Sequence, residues 1–121
     1  MWKSLLSALL WSGLALPVLA DEAPVREVLL AKPVQLPNPA IFAKVVRVSF
    51  PPGVKTPLHT HDGPGPRYVL KGEITVEDHG QTATYKAGQV FWESGEPMVA
   101  GNRGKEPAVM VIFEMAPDTS K

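Results

Sequence analysis

Apolar and polar residues alternate along short segments of this chain, and turn residues separate one segment from the next. The first such segment is Ala40 to Phe50, in which Val46, Val48 and Phe50 fall on one face and polar residues fall on the other. β-branched and aromatic residues with a period of two are typical of a half-buried strand. The sequence therefore predicts a strand here, which is ended by the turn residues Pro51 to Gly53.

Four more segments of the same character follow, with polar turns at residues 78–81 and 87–88. The predicted strands are Tyr68 to Glu77, Thr82 to Lys86, Gln89 to Glu93 and Ala108 to Met115. No segment after residue 20 shows the period of an amphipathic helix. Several short strands at close spacing predict an all-β fold, either a sandwich or a barrel. In the proline-punctuated arm before them, only Arg26 to Lys32 could form a strand.

The first twenty residues have the character of a secretory signal peptide. A positive charge at Lys3 precedes a mostly apolar stretch, Leu5 to Leu16, and small residues end the segment at Ala20. A membrane anchor is disfavoured, because the apolar stretch is shorter than the ~20 residues that cross a bilayer and Pro17 would end a helix there. We therefore predict a periplasmic or secreted protein with no membrane attachment after cleavage.

The composition of this chain argues against several classes of binding partner. Its 12 Lys and Arg balance its 12 Asp and Glu, and it has no Cys. Without a concentrated basic patch, nucleic acid and anionic membrane surfaces are not expected partners. Without cysteine, any metal would be held by His, carboxylate, Met or backbone oxygen. The sequence also lacks a nucleophile motif and a glycine-rich phosphate loop.

The candidate chemistry lies in the pair His59 and His61. Side chains two residues apart on a strand point to the same face, so both imidazoles could bind one metal ion. The alternative is a solvated loop, since Pro57 and Pro64 flank the pair. At least one more ligand is needed for a metal site.

Three stretches together resemble the motifs of the cupin family. Gly53 stands six residues before His59 and eight before His61, the segment 68–73 reads Tyr-Val-Leu-Lys-Gly-Glu, and residues 93–102 match the latter part of a second motif. The resemblance implies a small antiparallel β-barrel of jelly-roll type with a site inside it. It also implies a homodimer, in which the arm Ala23 to Pro37 is exchanged or covers a sheet edge.

Together, the signal-peptide pattern and the resemblance divide the chain into four parts. The signal peptide takes residues 1–20, the N-terminal arm residues 21–39, the cupin barrel residues 40–116 and a polar tail residues 117–121. A chain of this length has room for one domain.

Two of the family's four metal ligands are missing from this sequence. The Glu ligand falls on Gly65 and the second-motif His falls on Met98, so only His59 and His61 carry over. A thioether favours Cu(I) and contributes little to a hard divalent ion. Two imidazoles alone would hold Fe, Mn, Zn or Cu weakly, and Glu93, at a strand end near the site, is the candidate third ligand.

Strand parity gives a second prediction about the barrel interior. If Gly65 stands where an inward ligand would be, Arg67 also faces inward and requires an anionic partner. That partner is either Glu93 or the carboxylate of a bound ligand. Alternatively, the Gly-Pro-Gly-Pro stretch shifts the parity and sends Arg67 to solvent.

Two functions from different classes follow from this sequence. The first is an exported cupin that binds a small, anionic molecule or a divalent metal without turnover, with pocket residues Arg67, Trp92, Met98 and Asn102. The second is a metal-dependent cupin enzyme of oxygenase or isomerase type, in which open coordination positions bind the substrate.

Overall fold

The computed structural model describes residues 12–16 and 23–118, and every regular element within them is a β-strand. The strands are β1 (Ile41–Phe50), β2 (Gly65–Lys71), β3 (Glu73–Asp78), β4 (Gln81–Lys86), β5 (Val90–Glu93), β6 (Met98–Gly101) and β7 (Ala108–Pro117). The predicted all-β fold is confirmed.

The strands form two antiparallel sheets that face each other. The first sheet has the order β1-β7-β2-β5 and the second has the order β4-β3-β6. β1 and β7 pair along their whole length, from Ile41 opposite Pro117 to Phe50 opposite Ala108. Strands that are neighbours in a sheet are mostly distant in sequence, which is the arrangement of the jelly-roll barrel that the sequence predicts.

The predicted strand from Tyr68 to Glu77 is in fact two strands in different sheets. Gly72 separates β2 from β3 and has a φ of 70°, a left-handed conformation that residues with a Cβ rarely adopt. A Cβ at this position would also lie 2.7 Å from the carbonyl oxygen of Pro107. The alternating pattern continues across the glycine, so the sequence does not show that the chain crosses to the other sheet here.

Two further segments differ from the sequence expectation. Arg26 to Lys32 is exposed and has no strand structure, whereas β6 is a strand that the sequence did not predict. β6 is only four residues long, and its hydrogen bonds come from β3 and from the segment 55–59, which are distant in sequence. Such non-local pairing leaves little trace in a local pattern.

The apolar core lies between the two sheets. Its buried side chains alternate along the inward face of each strand, as the period of two predicts. The core residues are Phe50, Val69, Ile74, Val76, Phe91, Met98, Ala100, Ala108, Met110 and Ile112. At one end of the barrel the inward positions are charged instead of apolar, and these residues form the candidate site.

Most of the predicted signal peptide, residues 1–11 and 17–20, lies outside the described residues, as do residues 119–121 of the tail. Signal cleavage, the boundaries of the four parts and the homodimer therefore stay predictions. Within residues 12–16 and 23–118, no helix is long and apolar enough to span a membrane.

Candidate ligand-binding site

The two histidines lie side by side on an irregular segment that runs along β6. His59 forms an antiparallel bridge with Met98, and the backbone N–H of His61 donates to the carbonyl oxygen of Gly95. The centroids of the two imidazole rings are 4.8 Å apart, with the rings edge to face. The rings therefore meet at one place, as the H-x-H spacing predicts, although the segment is not a regular strand.

Arg67 points into the barrel and is completely buried. The inward residues of β2 are Gly65, Arg67 and Val69, which is the parity predicted from the sequence. The Arg67 Nη1 donates to the carbonyl oxygen of Gly65 at 2.9 Å and to that of Phe113 at 3.0 Å. These bonds hold the guanidinium against the backbone of β2 and β7.

Glu93 lies at the end of β5, directly opposite Gly65 on β2. Its Oε2 is 3.1 Å from the Arg67 Nη2 and 3.1 Å from the His61 Nε2. The side chain is 4% exposed, so both contacts are shielded from water. Of the two partners predicted for Arg67, the structure shows the internal carboxylate.

A second buried carboxylate, Glu114 on β7, contacts His61 from the other side. Its Oε1 is 3.3 Å from the His61 Nδ1, and its Oε2 is 3.4 Å from the Lys44 Nζ. The sequence interpretation missed this residue. Its signal was present in the alternation of β7, because Glu114 shares the inward face with Met110 and Ile112. We call His61, Arg67, Glu93 and Glu114 the interior cluster.

A surface ion pair between Lys44 and Asp62 lies next to the interior cluster. The Lys44 Nζ is 3.0 Å from the Asp62 Oδ2, and the Asp62 side chain is 75% exposed. Lys44 therefore links a solvent carboxylate to the buried Glu114. Because Asp62 is exposed, this pair contributes little stability by itself.

Burial and neighbouring charges move the pKa values of the interior cluster. Burial, followed by the charge of Arg67, lowers the pKa of His61 below its ordinary value of 6.5. Burial raises the pKa of Glu93 above 4.5, although Arg67 acts in the opposite direction. Burial also lowers the pKa of Arg67, which stays charged because an arginine pKa lies far above neutrality. At neutral pH, His61 is therefore neutral and Arg67 is positive.

A neutral His61 cannot donate a hydrogen bond to both of its carboxylates, because a neutral imidazole has one N–H and one lone pair. If the N–H points to one carboxylate, the lone pair faces an oxygen of the other. Two acceptors attract each other only when a proton lies between them. Neutral His61 can therefore donate to only one of Glu93 and Glu114, and its contact with the other carboxylate has no proton between the two acceptors.

Several buried polar atoms of the interior cluster have no aligned hydrogen-bond partner within the described part of the chain. They are Nε and Nη2 of Arg67 and both side-chain oxygens of Glu93. The Arg67 Nη2 and the Glu93 Oε2 are close enough for an ion pair, but the N–H does not point at the oxygen. Buried polar atoms without partners are costly, so they mark a place where water or a ligand supplies the missing bonds.

A cavity of about 280 Å³ opens beside His61. Its wall also includes Asp62, Glu96, Leu36 and Met115, which mix acidic and apolar surface. Sites for drug-sized ligands have volumes of ~300–1,000 Å³, so this cavity suits a small molecule. Arg67 does not line this cavity, because its guanidinium lies deeper, against Glu93.

The interior cluster does not fit a metal centre. In the described residues, no group of three or more His, Asp or Glu side chains is placed to hold a metal ion. The oxygen of Glu93 nearest to His61 is the same atom that contacts the Arg67 guanidinium. A cation bound between His61 and Glu93 would lie next to this fixed positive charge, which opposes its binding.

The predicted third ligand, Glu93, is thus inside the barrel but already paired. His59 is less involved, since its Nδ1 is 2.9 Å from the carbonyl oxygen of Pro57. A carbonyl only accepts hydrogen bonds, so this contact places the proton of a neutral His59 on Nδ1 and leaves Nε2 as an acceptor.

Three predicted pocket residues lie elsewhere or have structural roles. Met98 is 2% exposed and belongs to the apolar core, although its backbone pairs with His59. Asn102 lies at the other end of β6, where its side chain bonds to the backbone of one turn. Trp92 is on the outer face of β5, since its neighbours Phe91 and Glu93 take the inward face, and the Lys32 Nζ lies 5.2 Å from its ring centroid. Asn102 and Trp92 therefore do not line the cavity beside His61.

The comparison with known families gives a match over most of the barrel. A family model described as a cupin domain matches residues 46–114. No curated protein matches the chain.

Solved structures with the same architecture come from several organisms. A predicted oxalate decarboxylase from Thermotoga maritima is 31% identical, covers 59% of this chain and has a TM-score of 0.51; this chain covers 64% of that protein's length. A cupin domain from Bordetella pertussis is 20% identical over 67% of this chain and 98% of its own, with a TM-score of 0.52. An RmlC-like cupin with a double-stranded β-helix fold from Methanocaldococcus jannaschii is 18% identical over 78% and 94%, with a TM-score of 0.57. The latter two show the fold alone.

Proposed function

Because this chain belongs to the cupin family, whose members bind small molecules or metals, we propose that it binds a small polar molecule in the cavity beside His61 without a metal ion. The observation that carries the proposal is the contact of Arg67 and His61 with the same oxygen of Glu93. In this arrangement the interior charges of Arg67 and Glu93 neutralise each other, and His61 is the member of the cluster that lines the cavity.

The structure also bears on the charge of the ligand. Arg67 is paired with Glu93, so it does not need an anionic molecule as its counter-ion. The carboxylates of Asp62 and Glu96 line the cavity and would repel an anion. We therefore propose a neutral or cationic ligand with hydroxyl or amino groups, and an anionic ligand is the alternative that the test below separates.

The chemistry available at the site is proton transfer. His61 lies at the cavity wall between the carboxyl groups of Glu93 and Glu114. A small molecule bound there could exchange a proton with His61, which is the role of a general acid or base. The position of His61 therefore supports ligand binding, and whether a bound molecule reacts depends on its own chemistry.

The proposal is tested by a thermal-shift screen of neutral, cationic and anionic small polar molecules against the parent protein. Stabilisation by anionic molecules alone would contradict the proposed ligand charge. The variants are His61→Ala and, as a matched control, His79→Ala, since His79 lies in an exposed hairpin turn. A ligand at 100 times its dissociation constant should stabilise the parent by about 2.7 kcal/mol. We expect the same shift in His79→Ala and none in His61→Ala. Equal shifts in all three proteins would place the ligand elsewhere.

The metal-dependent enzyme is tested by elemental analysis of the parent and of His59→Ala/His61→Ala, both purified without chelator. We expect no stoichiometric Fe, Mn, Zn or Cu in either protein. Near-stoichiometric metal that disappears in the double variant would contradict the proposal and support an oxygenase or isomerase type reaction.

We also propose that the protein is exported. The segment 1–20 has the charge, apolar stretch and small terminal residues of a signal peptide. Mass spectrometry of the protein recovered from outside the cytoplasm should give a chain beginning at Asp21. An uncleaved chain that stays in the cytoplasm would contradict export.

We further propose that two copies associate through the outer face of the first sheet. Val45 and Phe113 are opposite each other on β1 and β7 and are 67% and 43% exposed. Two apolar neighbours on an exposed sheet face are typical of an interface. Light scattering should show a dimer for the parent and a monomer for Val45→Glu, whereas a monomeric parent would contradict the proposal.

A further inference from the structure

The backbone of β2 has no room for a side chain at Gly65. A Cβ placed there would lie 1.7 Å from the carbonyl oxygen of Phe113 and 3.3 Å from the Arg67 Nη1. The first distance is far inside any van der Waals contact, and Phe113 is part of the paired strand β7. A glycine is therefore required here by close packing, independently of backbone conformation.

The space beside Gly65 is taken by the Arg67 guanidinium. Its Nη1 donates to the carbonyl oxygen of Gly65, two residues earlier on the same strand, and to that of Phe113. Its Nη2 reaches Glu93, which lies opposite Gly65 across the ladder. The glycine at position 65 and the Arg67 guanidinium therefore belong to the same packing arrangement.

Charge balance in the interior also depends on Arg67. Glu93 and Glu114 are both about 5% exposed at the side chain, and both contact His61. Lys44, the other lysine or arginine in ion-pair contact with these carboxylates among the described residues, is 37% exposed. Arg67 is therefore the cation that shares the desolvated interior with these carboxylates, where a charge without a partner is strongly unfavourable.

From these contacts we propose that Arg67 is a built-in replacement for a metal ion. Its guanidinium supplies a permanent positive charge at the Glu93 carboxylate beside His61, and Gly65 leaves the space that it needs. Members of the family often bind a divalent metal, whereas this chain carries a fixed cation on β2. The inference does not rest on the proposed small-molecule function.

The proposal predicts that loss of the Arg67 charge makes the protein dependent on an external cation. Without the guanidinium, Glu93 would be a buried charge with no partner, and His61 and Glu93 would face an open space. Imidazole and carboxylate are ligands for Zn(II) and Mn(II), and with the His59 ring 4.8 Å from that of His61 the variant has three such groups near this space. A divalent ion should then bind where it does not bind in the parent protein.

The test uses the full chain and the variants Arg67→Met and Arg67→Lys. Each protein is equilibrated with Zn(II) or Mn(II), dialysed and examined by elemental analysis and by thermal melting with and without metal. Without metal, Arg67→Met should melt about 10 °C or more below the parent. It should bind metal at least about tenfold more tightly than the parent does, and metal should raise its melting temperature. Arg67→Lys keeps the charge and should bind no more metal than the parent.

A double variant separates charge from packing. Arg67→Met/Glu93→Leu removes both charges and should melt above Arg67→Met while binding no metal. If the double variant is as unstable as Arg67→Met, or if Arg67→Met melts like the parent and binds no metal, the proposal is wrong. Should Arg67→Met fail to fold, recovery of a folded protein in the double variant supports it.

The outcomes also separate this inference from the proposed function. Stoichiometric metal in the parent protein would contradict both. Arg67→Met that binds no metal would contradict only the replacement of the metal by Arg67. A parent protein that binds no small molecule would leave the role of Arg67 intact.

Discussion

The two ends of the barrel differ in how completely their buried polar groups are hydrogen-bonded. At the end near Asn102, the amide Nδ2 donates to the carbonyl oxygens of Phe50 and Glu106, and the Oδ1 accepts from the N–H of Gly104. The backbone of Asn102 also bonds to Gly53 and Val54. Its side chain serves as a clamp that ties the turn after β6 to the end of β1.

At the other end, the interior cluster holds four charged or titratable side chains. Arg67 and Glu93 leave buried atoms without aligned partners, and a neutral His61 can donate to only one of its two carboxylates. The difference shows how to separate structural from functional polar residues in this barrel. A buried polar side chain with all its bonds made stabilises the fold, whereas one with open bonding positions at a cavity is available to a ligand.

The largest expected effect lies at the incomplete end, in Glu93→Leu. This change leaves Arg67 buried without a counter-ion and should cost about 3–5 kcal/mol in the free energy of unfolding. Urea denaturation measures the loss. Glu73→Leu is the matched control, because Glu73 is exposed and its nearest ion-pair contact, with Lys86, is 3.9 Å long. A loss below about 1 kcal/mol in Glu93→Leu would show that the ion pair does not hold the interior together.

The next largest effect is expected at the other end of the barrel, where the hydrogen bonds of the Asn102 side chain are complete. Asn102→Ala leaves the carbonyl oxygens of Phe50 and Glu106 without their donor and should cost about 2–3 kcal/mol. Ligand binding beside His61 should not change, because Asn102 is not part of that cavity. Asn38→Ala, which removes a single bond to the N–H of Ala40, is the milder control. Reduced ligand affinity in folded Asn102→Ala would contradict the separation of the two ends.

The pH dependence of stability is a further test of the interior cluster, because only that end of the barrel holds the shifted groups His61 and Glu93. The folded protein lowers the pKa of His61 below 6.5, so its contribution to stability is present above pH 6.5 and is lost as the pH falls through the folded pKa. Glu93, with its raised pKa, acts in the opposite direction as the pH rises above 4.5. Glu114, Arg67 and His59 also face His61 and contribute to its shift.

We therefore compare the melting temperatures of the parent, His61→Asn and His79→Asn from pH 7 downward. The difference between the parent and His61→Asn should change in favour of the variant below pH 6.5, because asparagine takes up no proton. His79→Asn should follow the parent. A parallel course of all three curves would mean that His61 titrates alike in the folded and unfolded chains.

The smallest expected effect concerns Glu114. Its charge and its contact raise the pKa of His61 against the effect of burial, so Glu114→Gln should lower that pKa further. An NMR titration of the imidazole measures the shift, and Glu73→Gln serves as the distant control. An unchanged pKa in Glu114→Gln would show that the buried carboxylate does not act on His61.

The sequence predicted the elements of this site that depend on strand parity. Alternation along β2 placed Arg67 inside if Gly65 was an inward position, and Glu93 was one of the two partners predicted for it. The same rule would have placed Glu114 inside, beside Met110 and Ile112, but the apolar run of β7 directed attention to the core. Strand alternation is therefore sufficient to predict Glu114 as an inward residue, although the sequence interpretation did not apply it to β7.

Other features could not be predicted because they depend on contacts between distant segments. β6 is a strand through its pairing with β3 and with the segment around His59. Trp92 faces outward because β5 is anchored by its register with β2, in which Glu93 lies opposite Gly65. Local pattern fixes the period of a strand, but the face that it buries is set by the partner strand.

Close packing at Gly65 also constrains how this barrel could change. A carboxylate side chain at position 65 meets the Phe113 carbonyl at once and the Arg67 guanidinium next. Substitution there is expected to be harmful whether or not Arg67 is present, because the Phe113 carbonyl belongs to the paired strand β7. A mutation at position 65 alone is therefore not expected to introduce an acidic metal ligand, and the evolutionary accessibility of a metal site in this barrel depends on other positions.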